Sequence, residues 1–182
     1  MDRLATVAFT GVMANNIDPA SPAGPRLVDR DLVVKAIGRR SFCFLSTTSP
    51  GQRPHAAGVL YAADGTTLYV STTRTSRKAR NIAANPHVGI VVPIRRVPVG
   101  PPSSVQFQGR AEIVDPGDPE FRRLHREGRL KAVTSHGELD EPDGCFVRIT
   151  PTGRIHTYGL GMSLIQLARD PLHAAGVVAS AA

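Results

Sequence analysis

Between Phe42 and Thr73 the chain carries three strand-like runs, FCFLSTT, RPHAAGVLYA and TLYVSTT, separated only by Ser49-Pro50-Gly51-Gln52 and by Asp64-Gly65. Neighbouring parallel strands need a crossover of about a dozen residues, whereas antiparallel strands close over a turn of about two. The three runs therefore form an antiparallel meander. A doubly wound parallel sheet is disfavoured, and no G-x-G-x-x-G follows a strand.

The third run continues into TTRTSRKARNIAANPHVGIV, which reads as strand, short helix, strand. In Thr67 to Thr73 the residues Leu68, Val70 and Thr72 alternate with Thr67, Tyr69, Ser71 and Thr73, the period of a half-buried strand. Thr75 or Ser76 caps a helix whose apolar face is Ala79, Ile82 and Ala83, and Asn85-Pro86 ends it. Arg74, Arg77, Lys78 and Arg80 crowd the first turn and its approach. The helix dipole opposes cations there by about 0.3–1 kcal/mol. A bound anion resolves that conflict, because free N–H groups, hydroxyls and cations then converge on one phosphate. A solvated basic surface is the competing reading of the same residues.

The remaining pattern is mostly strand. His87 to Ile94 and Val105 to Val114 are the fourth and fifth strands, the latter changing face near Gly109 in the manner of a bulge. Arg95 to Ser103, with three prolines, reads as a loop, and as a wall or lid if it lies beside a site. Asp118-Pro119-Glu120 opens a helix anchored by Phe121 and Leu124. Cys145 to Thr150 and Arg154 to Tyr158 read as a closing hairpin around Pro151-Thr152-Gly153. Val28 to Arg40 holds a helix ending near Gly38. The fold class is mainly β, a closed or nearly closed barrel with peripheral helices. Residues 1–27 form an N-terminal arm, 28–160 the barrel domain, and 161–182 a C-terminal helix and a small-residue tail expected to fray.

Lys and Arg exceed Asp and Glu by seven, which favours anionic partners without choosing among them. The three Tyr and six Phe are not interleaved with the basic run, so a base-stacking nucleic-acid platform is disfavoured. Cys43 and Cys145 sit in apolar runs and read as small buried hydrophobes, a usage that fits a reducing cytoplasm. The six histidines show no HxxxH or Cys/His ligand spacing, and no metal site is expected. No apolar run reaches the roughly 18 residues that span a bilayer, so no membrane partner is expected.

The order of G-Q-R-P-H at 51–55, S-R-K-A-R-N at 76–81, N-P-H-V at 85–88, Q-G-R-A at 108–111 and the late R-I-T-P…I-H-T-Y-G segment resembles the FMN-binding split β-barrel superfamily. That group contains pyridoxamine 5′-phosphate oxidase and the deazaflavin-dependent reductases of actinobacteria. The resemblance covers about 28–158 and implies a cytoplasmic homodimer with its cofactor at the subunit interface. It implies cofactor contacts from His55, Ala56, Ala57, Thr72, Thr73, Ser76, Arg77, Lys78, Arg80 and Asn81, with the phosphate at Thr72, Ser76, Arg77 and Lys78. Ala56 and Tyr61 stand where the true oxidases carry an arginine and a lysine, which speaks against pyridoxamine phosphate oxidation. The R-K-A-R-N helix and the I-H-T-Y-G strand look more like the deazaflavin branch, favouring coenzyme F420 over FMN. Arg74, Arg77, Lys78, Arg80, Arg95 and Arg96 would meet that coenzyme's polyglutamate tail.

The function expected is an oxidoreductase passing a hydride between F420 or FMN and a small organic substrate. The coenzyme supplies the chemistry, so no catalytic side chain is nominated; His55, His156 and Tyr158 are candidate proton donors. The alternative is a carrier that holds flavin, F420 or haem without turnover.

Overall fold

The structure, a computed structural model, describes residues 24–95 and 100–178. In chain order the elements are β1 (Arg26–Val28), α1 (Arg30–Gly38), β2 (Phe42–Thr48), β3 (Pro54–Leu60), β4 (Ala62–Asp64), β5 (Thr67–Thr73), α2 (Arg77–Ala84) and β6 (His87–Ile94). Then come β7 (Ser103–Val114), α3 (Pro119–Arg126), β8 (Gly144–Tyr158), α4 (Leu164–Arg169) and β9 (Ala175–Val178). One sheet runs β1-β9-β8-β7-β6-β2-β3, and β5 joins it through β8 while holding β4 on its other edge. Every ladder is antiparallel except β1 with β9. β3 and β5 approach each other without a ladder among the described residues, so the sheet curls into a split barrel. This is the mainly β fold that the sequence leads to.

The meander, α2, β6 and α3 lie where their turn and capping residues place them. Asp29 caps α1 by accepting from Asp31 N at 2.7 Å, and Asp118 caps α3 by accepting from Phe121 N at 2.9 Å. Inside the barrel, Val33 and Ile37 of α1 pack against Cys43, Leu45, Val70, Val105 and Ile149. Burying a side chain of this kind contributes about 1.5–3 kcal/mol.

Several expectations are corrected. Residues 145–158 do not form a hairpin: both halves of β8 run the same way along β7, with Gln106 opposite His156 and Gln108 opposite Thr152. Pro151 and Thr152 stay paired with Gly109 and Gln108, and Gly153, at φ 73°, opens a bulge of residues 153–155 opposite Phe107 instead of reversing the chain. The expected change of face near Gly109 is absent: Val105, Phe107, Gly109 and Ala111 of β7 all face inward, and the register shift opposite Gln106–Gln108 lies in β8. β5 is not half-buried at its start, because Tyr69 is covered by Phe121, Leu124 and Phe146 in a second cluster under α3. In α2 the buried residues are Ala79, Asn81 and Ile82, while Ala83 is exposed. The tail contains a strand: β9 pairs with both β8 and β1, so Arg26 and Leu27, assigned to the arm, also belong to the sheet.

Tyr61 separates β3 from β4. It is fully buried, its hydroxyl donates to Ile37 O at 2.7 Å, and its own N–H donates to Ser41 O at 2.8 Å, so it fastens α1 to the barrel. Arg148 fastens α3 in a similar way, donating to Glu112 on β7 and to Glu120 at 2.9 and 2.7 Å. Cys43 and Cys145 are buried, and desolvation pushes the Cys43 thiol up to about 12 and raises that of Cys145. The thiolate is the reactive species. Neither cysteine is therefore expected to react with a maleimide at pH 7.5 in the folded protein, and both react after denaturation. Labelling of the native protein within minutes, read by mass spectrometry, contradicts this placement. No helix among the described residues is long and apolar enough to cross a membrane.

Candidate functional site

At the far end of β5 the strand gives way to a turn and then α2. Ser76 is the N-cap: its side chain accepts from Ala79 N at 3.2 Å and lies 3.0 Å from Thr72 Oγ1. The first turn of α2 contains no acidic residue, so its free N–H groups and its dipole present positive potential without a carboxylate from the helix itself. Thr72, Thr73 and Lys78 line one open cleft of about 360 Å³ with Ser71. No salt bridge occupies Lys78 among the described residues, so its charge is available to the cleft.

The opposite wall was not read from the sequence. It is built by His136, Gly137, Glu138 and Glu141, from the loop that leads into β8. The cause is sheet register: Thr73 pairs with Gly144 and Thr72 with Cys145, which brings the preceding loop over the end of β5. Gly144 is fitted closely, since a Cβ there would lie 2.8 Å from Glu141 O, whose carbonyl accepts from Gly144 N at 2.8 Å. Glu138 accepts from His136 N at 2.7 Å, and this bond holds its carboxyl below the usual carboxylate range. Asp143 accepts from Thr75 N and Oγ1 at 3.1 and 2.5 Å, which likewise lowers its pKa. The acid-rich HGELDEPDG run was the available signal for this wall.

The other residues expected to touch a cofactor are distributed differently. Arg77 and Arg80 are exposed on α2 and do not line the cleft. Asn81 is 4% exposed and donates from Nδ2 to Thr47 Oγ1 at 2.9 Å, and Thr47 in turn donates to His55 O at 3.4 Å. This buried chain holds α2 against β2 and β3. Replacing Asn81 with alanine leaves Thr47 without that partner and is expected to cost about 1–3 kcal/mol, read as a lower Tm. An unchanged Tm contradicts that role. His55 is half-buried with Nδ1 lacking a partner, Ala57 packs against the core, and Ala56 is exposed on the opposite face of β3. Arg74 pairs with Asp115. Arg95 lies at the far end of the eight-residue β6, about 26 Å along the strand from α2, where its carbonyl accepts from Arg40. Arg96 lies outside the described residues.

A further groove opens on the barrel's outer surface, where clefts of about 370 and 260 Å³ share Ser46, Gly89 and Gln108 and are flanked by His87 and His156. Beside it, Phe42, Phe44, Leu60 and Val91 are 41, 46, 53 and 38% exposed. Phe42 pairs with Leu60 and Phe44 with Val91 across strands, so the four form one apolar patch.

The chain matches the family model described as pyridoxamine 5′-phosphate oxidase over residues 30–157. Among solved structures it resembles a haem-binding protein from Mycobacterium smegmatis, with 17% identity, coverage of 74% of this chain and 55% of that one, and a TM-score of 0.62. It also resembles an FAD-binding protein from Mesorhizobium loti, with 22% identity, 72% and 93% coverage and a TM-score of 0.58. An F420 reductase follows with 26% identity, 66% and 93% coverage and a TM-score of 0.50. A comparison with curated proteins finds no match. With the split barrel in place and the family model spanning most of its length, the chain belongs to the pyridoxamine 5′-phosphate oxidase family.

Proposed function

We propose that the protein binds a phosphorylated flavin or deazaflavin coenzyme and uses it to pass a hydride to or from a small organic substrate. The observation that carries this reading is the convergence of Thr72, Thr73 and Lys78 in one cleft beside the N-cap Ser76. These donors fit a phosphate: the Thr72 and Thr73 hydroxyls, the helix N–H groups that the Ser76 cap does not take, and one ammonium outside any salt bridge among the described residues. Family membership and the flavin and F420 proteins among the structural neighbours support the same choice. When bound, the coenzyme ring supplies the hydride chemistry. The chain's own part is to neutralise the phosphate through Lys78, to hold it through Thr72 and Ser76, and to keep α2 rigid through Asn81 and Thr47.

Pyridoxamine phosphate oxidation is not the activity proposed. Tyr61, at a position where the oxidases carry a basic residue, is enclosed in the core with its hydroxyl on Ile37 O, and Ala56 presents only a methyl group. We propose further that a second copy of the chain covers the Phe42, Phe44, Leu60 and Val91 patch, forming a homodimer that shields the coenzyme from water. The protein is assigned to the cytoplasm on its free, buried cysteines.

Equilibrium binding of FMN, FAD and F420 to the apoprotein tests the coenzyme reading, and turnover of the reduced coenzyme with quinones, nitroaromatics or tetrapyrroles tests the enzyme. Failure of all three coenzymes to bind removes both. A second reading, a haem or coenzyme carrier without turnover, is favoured by His87 and His156 beside the outer groove, since imidazole is a common iron ligand. A Soret shift on haem addition that His87→Ala or His156→Ala abolishes supports it.

A further inference from the structure

A second opening lies at the end of the barrel remote from the cleft. Ile94 closes β6 seven residues, about 23 Å along the strand, from His87 beside α2. There Leu32, Ala36, Ile94 and Leu160 line a pocket of about 240 Å³ together with Lys35, Arg39 and Arg40. Ile94 and Leu160 are each 5% exposed and belong to the core cluster, and Ala36 packs against it, whereas Lys35, Arg39 and Arg40 are exposed. The pocket therefore has an apolar floor and a cationic rim. Its walls are tied down: Arg26 donates to Leu160 O, Arg40 donates to Arg95 O, and Gly161 sits so close that a Cβ there would lie 3.3 Å from Leu32 Cδ2. No acidic side chain lines the pocket, and no salt bridge engages Lys35, Arg39 or Arg40 among the described residues.

We propose that this pocket binds a monocarboxylate carrying a short apolar body, at a site separate from the coenzyme cleft. The helix dipole alone accounts for cations at the carbonyl end of α1, but not for an apolar floor left open beneath them. A carboxylate between Lys35, Arg39 and Arg40 relieves their mutual repulsion through charge-assisted hydrogen bonds, and the guanidinium fork matches its two oxygens. The apolar body then covers Ala36, Ile94 and Leu160, a gain that a bare anion such as acetate does not obtain. The volume lies below the roughly 300–1,000 Å³ of drug-sized sites, which keeps that body short. Arg39 is the C-cap of α1, and the helix end brings about half a negative charge to the rim, which opposes a phosphate dianion more than a carboxylate. The site stands independently of the coenzyme reading.

The test is isothermal titration of the full chain with octanoate, and with 1-octanol, octylamine, octyl phosphate and acetate as probes that change the head or remove the body. Octanoate is expected to bind at least about tenfold more tightly than 1-octanol, octylamine or acetate, and more tightly than octyl phosphate. Lys35→Gln/Arg39→Gln should weaken octanoate about tenfold with Tm and far-UV spectrum unchanged, since both side chains are exposed. Ala36→Leu, which fills the floor, should remove binding; if that variant does not fold, the glutamine pair decides. Lys78→Ala should bind octanoate as the wild type does. No octanoate binding, equal binding of 1-octanol or octylamine, or tighter binding of octyl phosphate overturns the proposal. So does octanoate affinity that survives in Lys35→Gln/Arg39→Gln or falls in Lys78→Ala, the latter placing the carboxylate in the coenzyme cleft.

Discussion

FMN binding is expected to weaken about 10- to 150-fold when Lys78 is replaced by alanine, with little change in Tm. A hydrogen bond to a charged group is worth about 1.5–3 kcal/mol, and about 1.4 kcal/mol is a tenfold change in affinity. Stability should hold because no salt bridge ties Lys78 to the protein among the described residues. Ser76→Ala provides the contrast. It loses a phosphate donor and also the N-cap of α2, so affinity and Tm fall together, the cap alone costing about 1 kcal/mol. Arg77→Ala and Arg80→Ala remove exposed charges outside the cleft and should change affinity by less than about threefold, through screened long-range attraction only. Isothermal titration on the four variants decides the matter: a loss at Arg77 equal to that at Lys78 moves the phosphate off the cleft and onto the outer surface of α2.

The second large effect concerns assembly. Phe44→Asp or Leu60→Asp places a carboxylate in the centre of the apolar patch on β2, β3 and β6, next to Val91 or Phe42. Burying an unpaired charge at an interface costs several kcal/mol, enough to convert a dimer to a monomer at micromolar concentration. Sedimentation velocity should show the wild type as a dimer and each variant as a monomer. Both side chains point away from the core, so the monomer should keep its far-UV spectrum and its Tm within a few degrees. If the wild type itself sediments as a monomer, the patch is covered by something other than a second copy.

Much of the barrel was legible because its signals are local. Ser76, Asn85 and Pro86 bracket α2 by capping and steric rules that need no distant partner, and Asp118-Pro119 marks α3 in the same way. The residues proposed to hold a phosphate, Thr72, Thr73, Ser76 and Lys78, come together because they belong to those same few turns. What stayed hidden depends on pairing at long range. Pro151-Thr152-Gly153 has the chemistry of a turn, and only the neighbouring β7 decides that the chain continues past it. Tyr69 reads as the exposed side of a half-buried strand until α3 folds over it. The Glu138 and Glu141 wall shows in sequence only as an acid-rich run, and its place is hidden because 138–141 reaches the end of β5 through the Thr73 to Gly144 pairing, about seventy positions apart in the chain. The polyglutamate contacts expected from Arg74 and Arg95 depended on adding up cations, and neither the Asp115 partner nor the length of β6 enters such a sum.

The parallel pair of β1 with β9 has a bearing on how the protein is made. Arg26–Val28 is among the earliest described segments to leave the ribosome, yet its ladder partner, Gly176–Val178, is among the last. Closing a loop of this length carries an entropy cost that only the completed sheet offsets. The nascent chain must therefore hold β1 unpaired until synthesis has passed Val178, and a truncation before Ala175 would leave the first strand with no ladder to join.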